Sequence, residues 1–230
     1  MAPLSDAELQ ALTLSLEVAG LSVICNLPIA VALSWILTRR KFLGRRVLDA
    51  VVHLPLVLPP VAVGYLLLVL FGSRGPIGAA LEHLFGIQLV FSRAGAALAT
   101  AVMSLPLMVR AMRISLENVD PGLEDAARTL GAKPLDRFLS ITLPLTLPGI
   151  LAGVITAFAA GLGEFGAVIT FVSNIPGQTR TLPLALYTAL QTPGGDAGAA
   201  RLAAMSIGLG IAGLLLSDYL SKSIARFLGR

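Results

Sequence analysis

The chain has 230 residues, 56% of them hydrophobic and 13% charged, about half the charged fraction of an average soluble domain. That composition excludes a water-soluble enzyme or nucleic-acid-binding module, and the net charge of +4 is explained by where the cations fall along the chain. The one cysteine, Cys25, cannot form an intrachain disulfide.

A bilayer crossing needs about 20 predominantly apolar residues. Five stretches qualify, roughly 11–37, 47–71, 94–116, 146–172 and 202–221, so an all-α integral membrane protein with about five transmembrane helices in a single domain, 1–230, is expected. Each stretch is interrupted by Gly, Pro or Ser, which spans tolerate when neighbouring helices satisfy the freed backbone groups, and this points to a packed bundle. The first ten residues carry Asp6 and Glu8 but no Lys or Arg, and the apolar run that follows is much longer than that of a signal peptide, so the first span is expected to stay attached. Trp35 reads as an interface anchor near its end.

The second span opens with Leu54-Pro55-Leu56-Val57-Leu58-Pro59, echoed at the fourth by Leu143-Pro144-Leu145-Thr146-Leu147-Pro148; both read as helix starts, where proline is common. From Gly72 to Ser92 an outer loop is expected, with a turn at Gly75-Pro76 and an apolar patch, Leu81 to Val90, along the interface. Arg110 and Arg113 follow Pro106 at the end of the third span, setting topology or touching an anion on its way out. Between the fourth and fifth spans, Thr181–Gln191 is apolar but too short to cross and reads as an outer or re-entrant helix. Thirteen of the 17 cations lie in the first loop, in or beside the third, or at the C-terminus (Lys222, Arg226, Arg230). The positive-inside rule then puts the third loop and the C-terminus in the cytoplasm and the N-terminus outside.

That third loop, 117–144, carries the most specific signals. Asp120-Pro121 is an N-cap residue followed by the residue preferred at the first helical position, and Glu124 and Asp125 fall in the first turn, where the helix dipole favours anions. The helix should stop near Gly131, and a second turn can start at Pro134. Leu123, Ala126, Ala127 and Leu130 fall at i, i+3, i+4 and i+7, giving a small apolar stripe suited to a partner's groove.

The spacing of Asp125-Ala126-Ala127, Gly131, Ile141 and Leu143-Pro144 resembles the cytoplasmic "EAA" coupling loop of permease subunits in binding-protein-dependent ABC importers, with Asp125 at the position of the signature Glu and Glu124 just before it. Beyond the loop, His53–Gly72, Ile141–Gly153, Gly163–Thr188 and Gln191–Leu202 look like bacterial molybdate permeases, with tungstate and sulfate permeases as related alternatives. The resemblance implies a type I importer-like permease fold, a homodimer, two cytoplasmic ATPase subunits docked on the loops, and a periplasmic or extracellular oxyanion-binding protein. It also implies that ATP and Mg bind the partner subunit and that this chain holds no cofactor. The coupling residues would be Leu123, Glu124, Asp125, Ala126, Ala127, Leu130, Gly131, Ile141, Leu143 and Pro144. A passive channel or structural membrane subunit is the reading from a different class, and it has no need of that loop spacing.

No catalytic or metal-binding constellation is read in the sequence: His53 falls at a membrane entry and His83 in an outer loop, and no G-x-x-x-x-G-K-[ST] phosphate loop occurs, so no enzymatic activity is expected. For the translocation path the candidates are Glu164, Thr170, Ser173 and Asn174. Intramembrane acids are costly and often functional, but Glu164 falls near the outer boundary, where a structural or gating role, including a bond to the Asn174–Gly177 loop, competes with contact to the transported ion. Thr170, Ser173 and Asn174 offer donors to a tetrahedral dianion or cap the span. Glycines 161, 163 and 166 permit close approach across a dimer axis or ordinary span packing.

Overall fold

The computed structural model describes residues 5–227, and beyond residue 213 it describes the side chains of Leu215 and Tyr219 alone. Arg230 lies outside the described residues, as do the side chains of Lys222 and Arg226. Within these bounds the chain is helical: α1 (Asp6–Arg39), α2 (Arg45–His53), α3 (Pro60–Phe71), α4 (Pro76–Phe85), α5 (Arg93–Glu117), α6 (Pro121–Thr129), α7 (Pro134–Arg137), α8 (Leu143–Leu162), α9 (Gly166–Val172), α10 (Leu182–Gln191) and α11 (Asp196–Phe227). A 3₁₀ turn at Leu54–Leu56 follows α2, and a π turn at Phe138–Thr142 leads α7 into α8. Three helical segments, Asp6–Arg39, Arg93–Glu117 and Pro134–Leu162, are long and apolar enough to cross a membrane, and a bent pair, Arg45–Leu56 with Pro60–Phe71, makes up to four. The stretch expected to span at 202–221 lies inside the 32-residue α11.

Two expected spans are broken. The stretch 47–71 turns by 113° between Leu56 and Pro60. Pro59 and Pro60 are adjacent: each removes an amide donor, and the second forces the first into extended backbone, φ −56° and ψ 134°. Helix α3 therefore starts at Pro60, and Leu54–Pro59 is a corner where a helix start was expected. The matching string at 143–148 ends in Pro148-Gly149, without a second proline, and α8 runs through it. The stretch 146–172 also divides, at Gly163–Phe165 between α8 and α9, where glycine's low helix propensity weakens the chain.

Helices α1, α5 and α8 form the centre, with Val23, Ala30, Leu37, Met108, Val109, Met112 and Ala157 buried among them. Polar links cross this apolar layer: the Asn26 amide donates to the Ala101 carbonyl at 2.8 Å and to Ser104 Oγ at 3.2 Å. Glycine permits the close contact of α8, since a Cβ on Gly161 would fall 2.8 Å from Thr100 Cγ2 of α5. Gly166 likewise meets Pro60 at the start of α3. Both approaches lie within this chain.

A second cluster joins α3, α9 and α10 to α1 and α5 through Leu14, Val63, Leu67, Val168, Phe171 and Leu184. Helix α10 packs on α1 and α11 through Ala11, Leu182, Ala185 and Leu202, and the Leu182 amide donates to Ser15 Oγ at 2.7 Å. The start of α1 is closed by a Ser5/Glu8 capping box, and Glu8 also accepts from Arg201 of α11 at 2.9 Å.

Candidate coupling loop and outer corner

Helix α6 begins as its sequence dictates. Asp120 Oδ1 accepts from the Gly122 amide at 2.8 Å, Pro121 occupies the first turn, and Glu124 is the acid within it. At its end Gly131 adopts φ +84°, its amide donates to the Arg128 carbonyl at 3.1 Å, and the Ala132 amide reaches back to the Ala127 carbonyl at 3.0 Å. These two bonds define a Schellman closure with Gly131 as the left-handed residue, so the bend is fixed by backbone geometry. Helix α7 then starts at Pro134.

The stripe on α6 is largely uncovered. Leu123 is 47% exposed and Leu130 87%, Ala126 is exposed and Ala127 half-buried. Farther along the loop, Leu135 and Leu139 are exposed as well, whereas Ile141 and Leu143 are half-buried and Pro144 exposed. A cavity of about 520 Å³ opens between α5, α6 and α8 with Leu123, Asn118, Leu145 and Pro148 among its walls.

The two adjacent carboxylates have different surroundings. Glu124 lies 3.2 Å from Arg39 Nη2, at the end of α1, and accepts from the Thr142 hydroxyl at 2.9 Å, just before α8. Arg39 also donates to the Val119 carbonyl at 3.2 Å. Asp125 instead pairs with Arg128 at 3.2 Å, both side chains being well exposed. Glu124 thus ties the loop to two spans, while Asp125 stays on the surface. Sequence reasoning missed Arg39 and Thr142 as partners: Arg39 is one of five similar cations in its loop, and a tie across 85 residues leaves no periodic signal.

At the opposite end of α8, Glu164 Oε1 accepts from the Ala167 amide at 2.9 Å and so caps α9; the sequence offers the Asn174–Gly177 loop as one structural partner and the transported ion as the alternative. The Thr170 hydroxyl donates to the Gly166 carbonyl at 2.8 Å along its own helix. Asn174 bridges to α10, donating to Thr188 Oγ1 at 2.8 Å and accepting from Arg180 Nε at 2.9 Å. Fully buried Thr179 folds the loop on itself, accepting from the Ile175 amide at 2.9 Å and donating to the Ser173 carbonyl at 3.1 Å. Arg93 adds a brace, donating to the Gly177 carbonyl at 2.9 Å and pairing with Glu17 at 3.2 Å. Ser173 stands apart: exposed, with φ +65° and ψ −164°, a region that glycine alone occupies freely. Thr179, Arg180 and Thr188 were not foreseen, because their role depends on a loop conformation that no local pattern encodes.

Long apolar helices joined by a capped, bent and exposed elbow make up a fold shared with the membrane chains of solved ABC importers. The fold overlays a chain of a bacterial alginate ABC transporter solved with an alginate pentasaccharide-bound periplasmic protein, with TM-score 0.73, 18% identity, and coverage of 97% of this chain and 80% of that one. It also overlays a methionine ABC transporter in inward-facing conformations, with TM-score 0.68, 15% identity, and coverage of 95% and 94%. Within that class the chain belongs to the binding-protein-dependent transport system inner membrane component family, whose model matches residues 27–226. It is 58% identical to the molybdenum transport system permease protein ModB of Escherichia coli K12 over 99% of both chains. The corresponding Haemophilus influenzae protein is 52% identical over 97% of both, and a protein of Nephroselmis olivacea described as a probable sulfate transport system permease is 32% identical over 96% of this chain and 77% of that protein.

Proposed function

We propose that this chain is the membrane-spanning permease subunit of an ATP-driven importer for molybdate, working as a homodimer with two cytoplasmic ATPase subunits and an extracytoplasmic oxyanion-binding protein. The observation that carries the substrate is the full-length identity of 58% to a molybdenum permease. The 32% identity to a sulfate permease keeps sulfate, and with it tungstate, as the second reading. ATP and Mg belong to the partner subunit, and this chain supplies shape and coupling.

In this reading α11 is the fifth span, the N-terminus is outside, and the basic loops and C-terminus are cytoplasmic. The elbow 117–144 is the coupling element: Leu123, Ala126, Ala127 and Leu130 seat in an ATPase groove, Gly131 sets the bend, and Ile141, Leu143 and Pro144 pass the movement into α8. Glu124 holds the elbow to Arg39 and Thr142, so a push on α6 is delivered to α1 and α8 together. The spans then rock between inward and outward arrangements, each stabilised by the nucleotide state of the ATPases. At the outer corner Glu164, Thr170 and Asn174 shape the passage through the bonds they make within the chain, and the exposed Ser173 hydroxyl is the donor left to face the ion.

Reconstitution with the ATPase and binding protein tests the substrate. ATP turnover is expected to rise with molybdate-loaded binding protein; stimulation by sulfate alone would reassign the substrate and leave the architecture intact.

A further inference from the structure

Between α1 and α2 the chain turns through a basic elbow whose cations have different fates. Arg39 is committed to Glu124, and Arg40 stacks on Trp35 with its guanidinium carbon 4.9 Å from the ring centroid. Lys41, Arg45 and Arg46 form no ion pair with any described residue, and they line a cavity of about 560 Å³ together with Phe42, Leu43 and Asp49. The one carboxylate there is already engaged, because Asp49 accepts from Arg113 at 2.6 Å and lies 3.1 Å from His53. The cavity therefore carries uncompensated positive charge beneath an apolar rim, as Phe42 is exposed and Leu43 fully so.

Helix α2 has two apolar faces. Val52 is buried and Leu48 half-buried against α5, whereas Val47 and Val51, continued by Leu54 in the following 3₁₀ turn, at i, i+4 and i+7, form a second, exposed stripe. Because the chain turns by 113° into α3, α2 lies within about 25° of the bilayer plane when α3 runs along the normal. Beyond the turn, Val61, Tyr65 and Leu68 of α3 are exposed apolar residues as well. A short helix lying flat, with an acyl-facing stripe and basic residues beside a span end, is the arrangement that holds a protein at an anionic lipid surface.

We propose that the α1–α2 elbow is a binding site for the headgroup of an anionic phospholipid, held by Lys41, Arg45 and Arg46, with the acyl chains along Val47 and Val51. The charge of the cavity selects an anion, and the stripe beside it selects one attached to hydrocarbon. A docked protein, a second copy of this chain included, would have to cover both the stripe and the exposed residues of α3.

The test is quenching of a bimane probe on V47C, with the exposed Cys25 replaced by Ala, in the intact complex with its ATPase. The vesicles mix phosphatidylglycerol and phosphatidylcholine, and one lipid at a time carries brominated acyl chains. Quenching per mole by brominated phosphatidylglycerol is expected to exceed that by brominated phosphatidylcholine by about five-fold or more, the factor one basic side chain contributes near an anionic surface. The K41Q/R45Q/R46Q variant is expected to quench equally with both lipids, while R74Q, in another loop, keeps the preference. Equal quenching in the parent protein overturns the headgroup site; absence of quenching by either lipid means that protein covers α2 and overturns the proposal as a whole; a preference retained by the triple variant removes these side chains from it.

Discussion

Gly131, Glu124 and Ser173 each turn a local feature into a measurable consequence. Any L side chain at the φ of +84° seen for Gly131 costs roughly 1–2 kcal/mol, and a β-branched one more. Gly131→Val should insert normally, yet co-purification of the ATPase in mild detergent should fall at least about ten-fold; undiminished co-purification would remove the bend from the coupling device. The neighbouring acids separate two roles. Glu124→Gln loses a partly buried pair with Arg39, and its thermal unfolding midpoint should drop by an amount corresponding to about 1 kcal/mol, whereas Asp125→Asn, losing only an exposed pair, should leave the midpoint unchanged. Ser173→Gly releases strained backbone and should raise stability by about 1 kcal/mol, while lowering transport because the free hydroxyl is gone. Transport at the parental level in that variant would confine Ser173 to a backbone role.

Among the elements, α8 shows how little room its packing leaves. A Cβ on Gly161 would sit 2.8 Å from Thr100 Cγ2 and 3.4 Å from Ala19 Cβ, so a branched side chain must push α8 away from α5 and α1 together. Overpacking of this kind costs about 1–3 kcal/mol, and Gly161→Val is expected to lower the thermal midpoint in detergent by several degrees; no change would mean that α8 shifts freely. Legibility differed from element to element for physical reasons. Helices α1, α5 and α6 were readable because they rest on local chemistry: long apolar runs in α1 and α5, and in α6 Asp120 as a cap and Gly131 past the end. The break before α3 was not, since LPLVLP and LPLTLP look alike until the second proline at position 60 is weighed. The break at Gly163–Phe165 was hidden by continuous hydropathy, which does not register where backbone amides lack partners. At the candidate site the stripe and the bend were visible in sequence, but the Glu124–Arg39–Thr142 tie and the bridges of Asn174 to Thr188 and Arg180 depend on tertiary contacts.

Taken as a whole, the molecule joins two ends of one bundle. The corner held by Glu164 and Asn174 lies at the far end of α8 from the elbow held by Glu124, and the 20 residues of α8 span about 30 Å between them. In the proposed reading such a helix, close-packed on α1 and α5, carries displacement as a rigid body, and the elbow touches its ATPase through the exposed face of α6 in every working state. Single-cysteine cross-linking from L130C, with Cys25 replaced by Ser, to the ATPase subunit in the reconstituted complex tests this directly. A cross-link whose yield changes with bound nucleotide is predicted. A complex that hydrolyses ATP and transports normally while Leu130 remains solvent-accessible and never cross-links to the ATPase would contradict the account.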